Sequence, residues 1–199
     1  MASSGRSASG DAELIAAIKA GDLSAFTELV VRHQRALVNF FYHFSWDRQA
    51  AEDCAQEVFV KLYVHLDSYE PQAKFTTFLY RVARNLWIDR LRSSASTHRA
   101  VSLEQGAGER REESNLKERL PATSASPVDI LSQREAQQAL LRTIDALPEE
   151  QRLVVVLSEL QGLKYNEIAD ILGVPVGTVK SRMHTAIGRL KELMTNELR

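Results

Sequence analysis

Residues suited to contacting DNA cluster near the C-terminal end of the chain. Thr178, Lys180, Ser181 and Arg182 follow one another closely in the stretch GTVKSRMH. Lys and Arg side chains hold phosphates or donate to guanine in the major groove, and hydroxyl groups bind either kind of acceptor. His184 shares this face, although a single His is weak evidence for any role. The chemistry that these residues indicate is non-covalent recognition of nucleic acid.

Two helices broken by a tight turn must position these residues. A short helix is predicted over 165–172, after which Gly173 permits a positive φ and Pro175 fits the first turn of a second helix. The second helix runs over 176–194, with Val179, Met183, Ile187 and Leu190 on its inward face. Gly177 is small either because helices cross there or because the backbone nears a phosphate. The pattern is typical of a helix-turn-helix; the alternative is an ordinary helical hairpin with a solvated charged face.

A second basic surface is predicted on the helix over 74–92, which carries five basic residues and one acidic residue. One face of this helix is polar and basic, and aromatic residues flank it. The face holds Thr77, Arg81, Arg84, Asn85, Ile88 and Arg92, and the flanking residues are Tyr80, Trp87 and Leu91. Arg residues beside exposed rings suit unstacked bases. The alternative is a solvated face with the aromatic residues in the core.

The preceding helix reverses the sign of the charge. Glu52, Asp53, Gln56 and Glu57 lie within a turn and a half. Nucleic acid would be repelled there, so we interpret the patch as a protein-binding surface. Acids that complement a helix N-terminus are the alternative, which explains Gln56 and an exposed Phe59 less well.

Helical periodicity dominates the chain, so the predicted fold class is all-α. Asp22 and Asp47 are expected to cap two helices. The inward face of the second of these helices is predicted to hold Ala51, Cys54, Val58, Leu62 and Leu66. The segment 95–133 is rich in Ser, Glu and Arg and is predicted to be a flexible linker. The expected organisation is a disordered leader over 1–10, a helical domain over 11–94, the linker, and a second helical domain over 134–199 with its helix-turn-helix at 165–184.

Composition excludes several classes of protein. With 199 residues and one Cys, the chain has no internal disulfide and no cysteine-cluster zinc site, and Cys54 is interpreted as a core residue. No apolar run reaches the ~20 residues that a membrane helix needs, so a cytoplasmic protein is expected. The chain has five His, no Gly-rich phosphate loop and no compact carboxylate pair near a His. We therefore expect no enzyme, no catalytic residue, no cofactor and no metal site.

Three motifs in order resemble one family. They are AEDCAQEVFVKLY, FTTFLYRVARNLWIDRLR and YNEIADILGVPVGTVKSRMHTAIGRLKE. Together they resemble the bacterial RNA polymerase sigma factors of the extracytoplasmic-function (ECF) group in the sigma-70 family. The resemblance implies a region-2-like helical bundle and a region-4-like helix-turn-helix. It also implies an alternative sigma factor that binds core RNA polymerase, recognises the −35 and −10 promoter elements and helps to open DNA.

The resemblance also assigns partners to individual residues. Core polymerase would be bound through its β′ coiled coil and β flap, promoter DNA would be double-stranded at −35 and single-stranded at −10, and an anti-sigma factor is expected. The residues implied for core binding are Asp53, Gln56, Glu57 and Phe59. Those implied for the −10 element are Tyr80, Arg81, Arg84, Asn85, Asp89, Arg90 and Arg92. Those implied for the −35 element are Thr178, Lys180, Ser181, Arg182 and His184.

Further expectations concern the β flap, base preference and the tether. Leu153, Val154, Val156 and Leu157 are expected to divide between the domain core and the β flap. Val176 stands where many relatives have Glu, which removes an acceptor toward cytosine. About 40 flexible residues have an r.m.s. span of roughly 35 Å. That span reaches, with modest stretching, two elements roughly 50–55 Å apart.

The rival interpretation is a stand-alone dimeric helix-turn-helix regulator. It would leave the basic aromatic face of the first domain without a role. Binding to core polymerase distinguishes the two.

Overall fold

The described part of the chain consists of helices and contains no strand. The computed structural model describes residues 10–66, 69, 74–101 and 143–197, and for 94–101 and 196–197 it defines the backbone alone. The first group of helices is α1 (Asp11–Lys19), α2 (Leu23–Ser45), α3 (Arg48–His65) and α4 (Phe75–Val101). The second group is α5 (Glu149–Val155), a π-helix (Val156–Leu160) that continues it, α6 (Tyr165–Leu172) and α7 (Val176–Glu197). The all-α prediction is confirmed.

Side-chain caps start α2 and α3, as the sequence predicts. The Asp22 carboxylate accepts a hydrogen bond from the Ser24 backbone N–H at 2.9 Å. The Asp47 carboxylate accepts one from Ala50 at 3.1 Å. Each bond satisfies a backbone donor that the helix leaves without an internal partner.

The first group packs around aromatic and aliphatic side chains of α2. Leu37, Phe40 and Phe41 are fully buried where α2 meets its neighbours. The face of α3 predicted to point inward is buried along its whole length, and Cys54 is fully buried within it. Burial raises the pKa of the Cys54 thiol, as expected of a core residue.

The second group buries more of its apolar run than the sequence indicated. Residues 153–157 are all buried, so the expected division between core and outward-facing residues is wrong in this structure. On α7, Val179 and Met183 are buried as predicted, but Ile187 is 45% exposed and Ala186 is buried instead. The spacing 179, 183, 186 keeps to one side of a 3.6-residue helix, whereas position 187 has turned away from it.

The two groups are packed against each other. Helix α4 lies against α6, and α2 lies against the π-helix. Helix α4 extends to Val101, seven residues into the segment predicted as linker. Residues 1–9 of the predicted leader and 102–133 of the predicted linker lie outside the described residues, as do 67–68 and 70–73 of the loop before α4.

Candidate nucleic-acid interface

The helix-turn-helix forms as the sequence predicts. Helix α6 begins where the Glu167 carboxylate accepts a hydrogen bond from the Lys164 backbone N–H at 2.8 Å. It ends at Gly173, whose φ of 66° lies in the left-handed region that favours glycine. Pro175 then precedes α7, and its carbonyl accepts from the Thr178 N–H at 2.9 Å. The turn thus presents the N-terminal part of α7 outward.

Three of the five predicted recognition residues lie on the exposed side of α7. Lys180, Ser181 and His184 are exposed, and Thr178 is half-buried. The Ser181 hydroxyl donates to the Thr178 carbonyl at 3.0 Å, which leaves its oxygen free to accept a further bond. The exposed groups among them are accessible to a partner.

Arg182 forms an ion pair in this structure. Its guanidinium forms an ion pair with the Glu150 carboxylate at 2.6 Å, and 23% of the Arg182 side chain is exposed. Glu150 is 70% exposed, so it can move aside at small cost.

A Cβ added at Gly177 would meet nothing within 4 Å. This removes the helix-crossing interpretation of Gly177, and a close approach to phosphate stays a prediction.

The basic face of α4 is only partly open. Arg81, Asn85, Asp89 and Arg92 are exposed, and Arg84 is half-buried. Thr77, which the sequence places on the same face, is buried and 5% exposed. Helix α6 is one of the helices that pack against α4.

Tyr80 corrects the expectation of an exposed base-stacking ring. It is 4% exposed and packs edge-on against Phe40, with ring centroids 5.4 Å apart. Its hydroxyl donates to the Gln161 side-chain oxygen at 2.5 Å, and burial raises the pKa of the phenol. Trp87 is half-buried and packs against Phe44, with ring centroids 5.6 Å apart. These two aromatic residues follow the alternative interpretation, which placed them in the core.

Arg90 lies on a different side of α4 from the other arginines. Its guanidinium forms an ion pair with the Glu57 carboxylate of α3 at 2.9 Å. A residue assigned to the −10 element and a residue assigned to core binding are therefore paired with each other. The pair joins two helices, so each side chain also has a structural role.

The outer face of α3 carries the predicted protein-binding residues, with one exception. Asp53 and Gln56 are exposed and Glu57 is half-buried. Phe59 is 6% exposed, so the expectation of an exposed Phe59 is wrong. It falls on the side of α3 that the buried residues Ala55 and Leu62 share, because positions three or four residues apart lie on one face.

Sequence reasoning missed an exposed apolar patch on the same outer face. Val60, Tyr63 and Val64 are 64%, 50% and 65% exposed. They continue the row of Asp53 and Gln56 at helical spacing. The signal was present in the sequence, since positions 56, 60 and 64 are each four residues apart, but no role was predicted for the apolar residues there.

Two family models match the chain, one on each group of helices. The description "Sigma-70 region 2" matches residues 29–97, and "Sigma-70, region 4" matches residues 137–190. The ECF RNA polymerase sigma factor SigW of Bacillus subtilis is 34% identical over 182 residues, which cover 92% of this chain and 93% of that protein. This chain belongs to the ECF sigma factors.

Other relatives agree with this assignment. The ECF RNA polymerase sigma-E factor of Escherichia coli K12 is 35% identical over 197 aligned residues, with 94% of each chain covered. The fold is similar to that of CnrH, solved in complex with the cytosolic domain of CnrY, with a TM-score of 0.68, 24% identity, and coverage of 94% of this chain and 99% of that one. RpoE from Bartonella quintana, solved with the anti-sigma factor NepR, gives a TM-score of 0.66 at 24% identity. The match covers 85% of this chain and 96% of that one.

The chain is thus an alternative sigma factor that directs RNA polymerase to promoters. The rival interpretation, a stand-alone dimeric regulator, is not favoured. In the described ranges, no group of three or more His, Cys, Asp or Glu residues could hold a metal ion. Nor do those ranges contain a helix long and apolar enough to cross a membrane.

Proposed function

We propose that this sigma factor binds core polymerase with the outer face of α3 and contacts promoter DNA with α4 and α7. The observation that supports this best is the separation of charge among the three helices. Exposed acidic and amide groups lie on α3, and exposed basic and polar groups lie on α4 and α7. The acidic surface suits a protein partner, and the two basic surfaces suit DNA.

On α3, we propose Asp53, Gln56 and Glu57 as the contacts with the β′ coiled coil. The exposed Val60 and Val64 extend that surface, so a partner that covers both parts buries apolar area beside the polar contacts. Phe59 contributes only by holding α3 against the core of its own group of helices.

On the second group of helices, Leu160 is 42% exposed at the end of the buried apolar run, and we propose it as a contact with the β flap.

On α4, we propose Arg81, Arg84, Asn85 and Arg92 as the contacts with single-stranded DNA at −10. Their charges and amides track phosphates and base edges. Asp89 is exposed on the same helix and supplies an acceptor. Tyr80 and Arg90 support this surface from within, Tyr80 through Phe40 and Arg90 through Glu57.

On α7, we propose that Thr178, Lys180, Ser181, Arg182 and His184 contact double-stranded DNA at −35. Opening of the −10 element then results from preferential binding of unstacked bases, with no covalent chemistry and no catalytic residue.

We also expect an anti-sigma factor as a partner, since RpoE, which has a similar fold, was solved with one. Failure to recover an inhibitory protein with the chain from native extracts would count against that partner.

The first test is binding of the full chain to bacterial core RNA polymerase, measured by gel filtration and titration. Asp53→Ala with Gln56→Ala removes two exposed groups from α3. The expected result is co-elution of the wild type and affinity about tenfold weaker for the double variant. The matched control combines Gln34→Ala with Glu192→Ala, exposed residues to which no contact is assigned, and should bind as the wild type does. Equal affinity of both double variants would reject the assignment of α3.

A further inference from the structure

Helix α1 lies outside the part of the chain that matches Sigma-70 region 2, because that match begins at residue 29. It is nevertheless built into the first group of helices, since Leu14, Ile15 and Ile18 are buried and the helix packs against α2. Burial of these apolar residues holds α1 in place. The charged residues Asp11 and Lys19, at the two ends of the helix, make further contacts that burial alone does not require.

The Asp11 carboxylate links α1 to two adjacent residues of α2. One oxygen accepts a hydrogen bond from the Arg32 guanidinium at 2.7 Å, and the other lies 3.0 Å from Nε2 of His33. The His33 ring packs edge-on against Phe75, with ring centroids 5.2 Å apart. Phe75 is buried and is the first residue of α4. Asp11 therefore holds a ring that lies against the start of α4.

A second connection runs from the other end of α1. The Lys19 ammonium donates to the Tyr69 backbone carbonyl at 3.5 Å. The buried Tyr69 ring contacts Phe75 and Phe78, with ring centroids 6.1 and 5.5 Å apart. Burial, and to a smaller degree the charge of Asp11, raises the pKa of the Tyr69 phenol. Both connections from α1 thus end at the first turn of α4.

The first turn of α4 directly precedes the residues that we assign to DNA at −10. Arg81 follows Phe78 by about one turn of helix. Later in α4, the rings of Tyr80 and Trp87 pack on α2 and hold the middle of the helix. The two connections from α1 therefore act on the first turn, and through it on Arg81.

We propose that α1 is a positioning element for DNA binding at −10, because Asp11 and Lys19 fix the first turn of α4 and so orient Arg81. The inference rests on the role proposed for α4. Asp11 and Lys19 act through His33 and Tyr69 and contact neither DNA nor polymerase. A helix that only stabilised the fold would need its buried apolar residues but neither of these charged ends.

The test compares three variants of the full chain, each assembled with core polymerase. Asp11→Ala with Lys19→Ala removes both connections, whereas Asp11→Glu with Lys19→Arg keeps a carboxylate and a donor at the two ends. Glu13→Ala is the matched control. It removes the other carboxylate in the first turn of α1, which accepts a hydrogen bond from the Gly10 backbone N–H at 3.3 Å at the start of the same helix.

Binding is measured separately to core polymerase, to a duplex with the −35 element alone, and to a promoter fragment with an unpaired −10 element. Both DNAs come from a promoter that the wild-type holoenzyme selects from a randomised library. The double Ala variant should bind the unpaired −10 fragment about fivefold to tenfold more weakly, because Arg81 is no longer held in position. Its affinities for core polymerase and for the −35 duplex should be unchanged. The conservative double variant and Glu13→Ala should match the wild type in all three measurements.

Amide hydrogen exchange of the free proteins reports on the first turn of α4 directly. Peptides over 75–81 should exchange about fivefold to tenfold faster in the double Ala variant, because this turn opens more often. Peptides over 48–65, which form α3, should exchange as in the wild type. Faster exchange is not expected for Glu13→Ala.

The outcomes separate this inference from the proposed function. Unchanged exchange over 75–81, or full affinity of the double Ala variant for the −10 fragment, would overturn the positioning role. An equal loss of affinity for core polymerase, or an equal loss for Glu13→Ala, would overturn it as well, since α1 would then act through general stability. If the wild-type holoenzyme bound no unpaired −10 DNA, the role proposed for α4 would fail, and the exchange would still report whether α1 fixes its first turn.

Discussion

Helices α4 and α7 carry similar basic and polar side chains, but the fold leaves them open to different degrees. On α7, Lys180, Ser181 and His184 are exposed, and Arg182 forms an ion pair with the exposed Glu150. On α4, Thr77 and Tyr80 are buried and Arg84 is half-buried. A basic helix in a sequence is therefore not by itself an available DNA surface.

The reason for the difference is the position of each helix in the packing. Helix α4 packs against both α3 and α6, which belong to different groups of helices. Helix α7 packs against α5 and α6, and its residues Lys180, Ser181 and His184 remain exposed. The surface of each helix that is available to DNA is the part that packing against other helices leaves exposed.

The largest expected effect tests whether Tyr80 is a core residue. Tyr80→Ala should lower the free energy of unfolding by about 3–5 kcal/mol, because it removes a buried ring that packs on Phe40. Tyr80→Phe keeps the ring and should cost only about 1 kcal/mol. Urea denaturation monitored by circular dichroism measures both. An unchanged midpoint for Tyr80→Ala would mean that the ring is exposed after all, and α4 would then resemble α7.

The next effect is a pH dependence of the free energy of unfolding, which arises from His43. His43 of α2 lines a cavity with Arg35 and Gln161, and burial lowers the pKa of its imidazole from 6.5 to about 4. His43 is therefore protonated near pH 6.5 in the unfolded chain, but only near pH 4 in the folded chain. Stability from neutral His43 is fully present above pH 6.5 and is lost as the pH falls toward 4, by about 3 kcal/mol in total.

His43→Gln removes this titration and serves as the comparison. The difference in unfolding free energy between wild type and variant should change between pH 7 and pH 4 and be constant above pH 7. Carboxylates titrate equally in both proteins, so their contribution cancels. Parallel curves over the whole range would show that His43 is solvated in the fold.

A smaller effect separates base contacts from phosphate contacts on α7. Arg182→Ala should cost on the order of 1–3 kcal/mol at one promoter position if Arg182 reaches a base edge. Lys180→Ala should instead weaken binding to all sequences and reduce the salt dependence. Titration of the holoenzyme with a set of single-position promoter variants distinguishes the two. A uniform loss for Arg182→Ala would make it a phosphate contact as well.

The smallest effect compares two glycines beside the turn. Gly173→Ala should cost about 1–2 kcal/mol of stability because its φ of 66° is strained for a residue with a Cβ. Gly177→Ala has free space around the new Cβ and should leave stability unchanged or raise it by up to about 1 kcal/mol. If the backbone of Gly177 approaches a phosphate, the same substitution should weaken binding to promoter DNA. Full DNA affinity for Gly177→Ala would remove that role.

Local features were predictable from the sequence because they depend on near neighbours. The caps at Asp22 and Asp47, the left-handed turn at Gly173 and the inward face of α3 each follow from residue type and spacing over a few positions. The aromatic residues of α4 were harder. Tyr80 and Trp87 flank a polar face, and periodicity cannot say whether a flanking ring meets solvent or a neighbouring helix.

By itself, the sequence determined the helices, the helix-turn-helix and the charge carried by each surface, since these depend on contacts within one or two turns. Only the tertiary structure decided which of those surfaces are open. It buried Phe59 and Tyr80, paired Arg90 with Glu57, exposed Val60 and Val64, and set Glu167 against Lys74. Each of these depends on packing between helices that are distant in the chain, which local spacing does not specify.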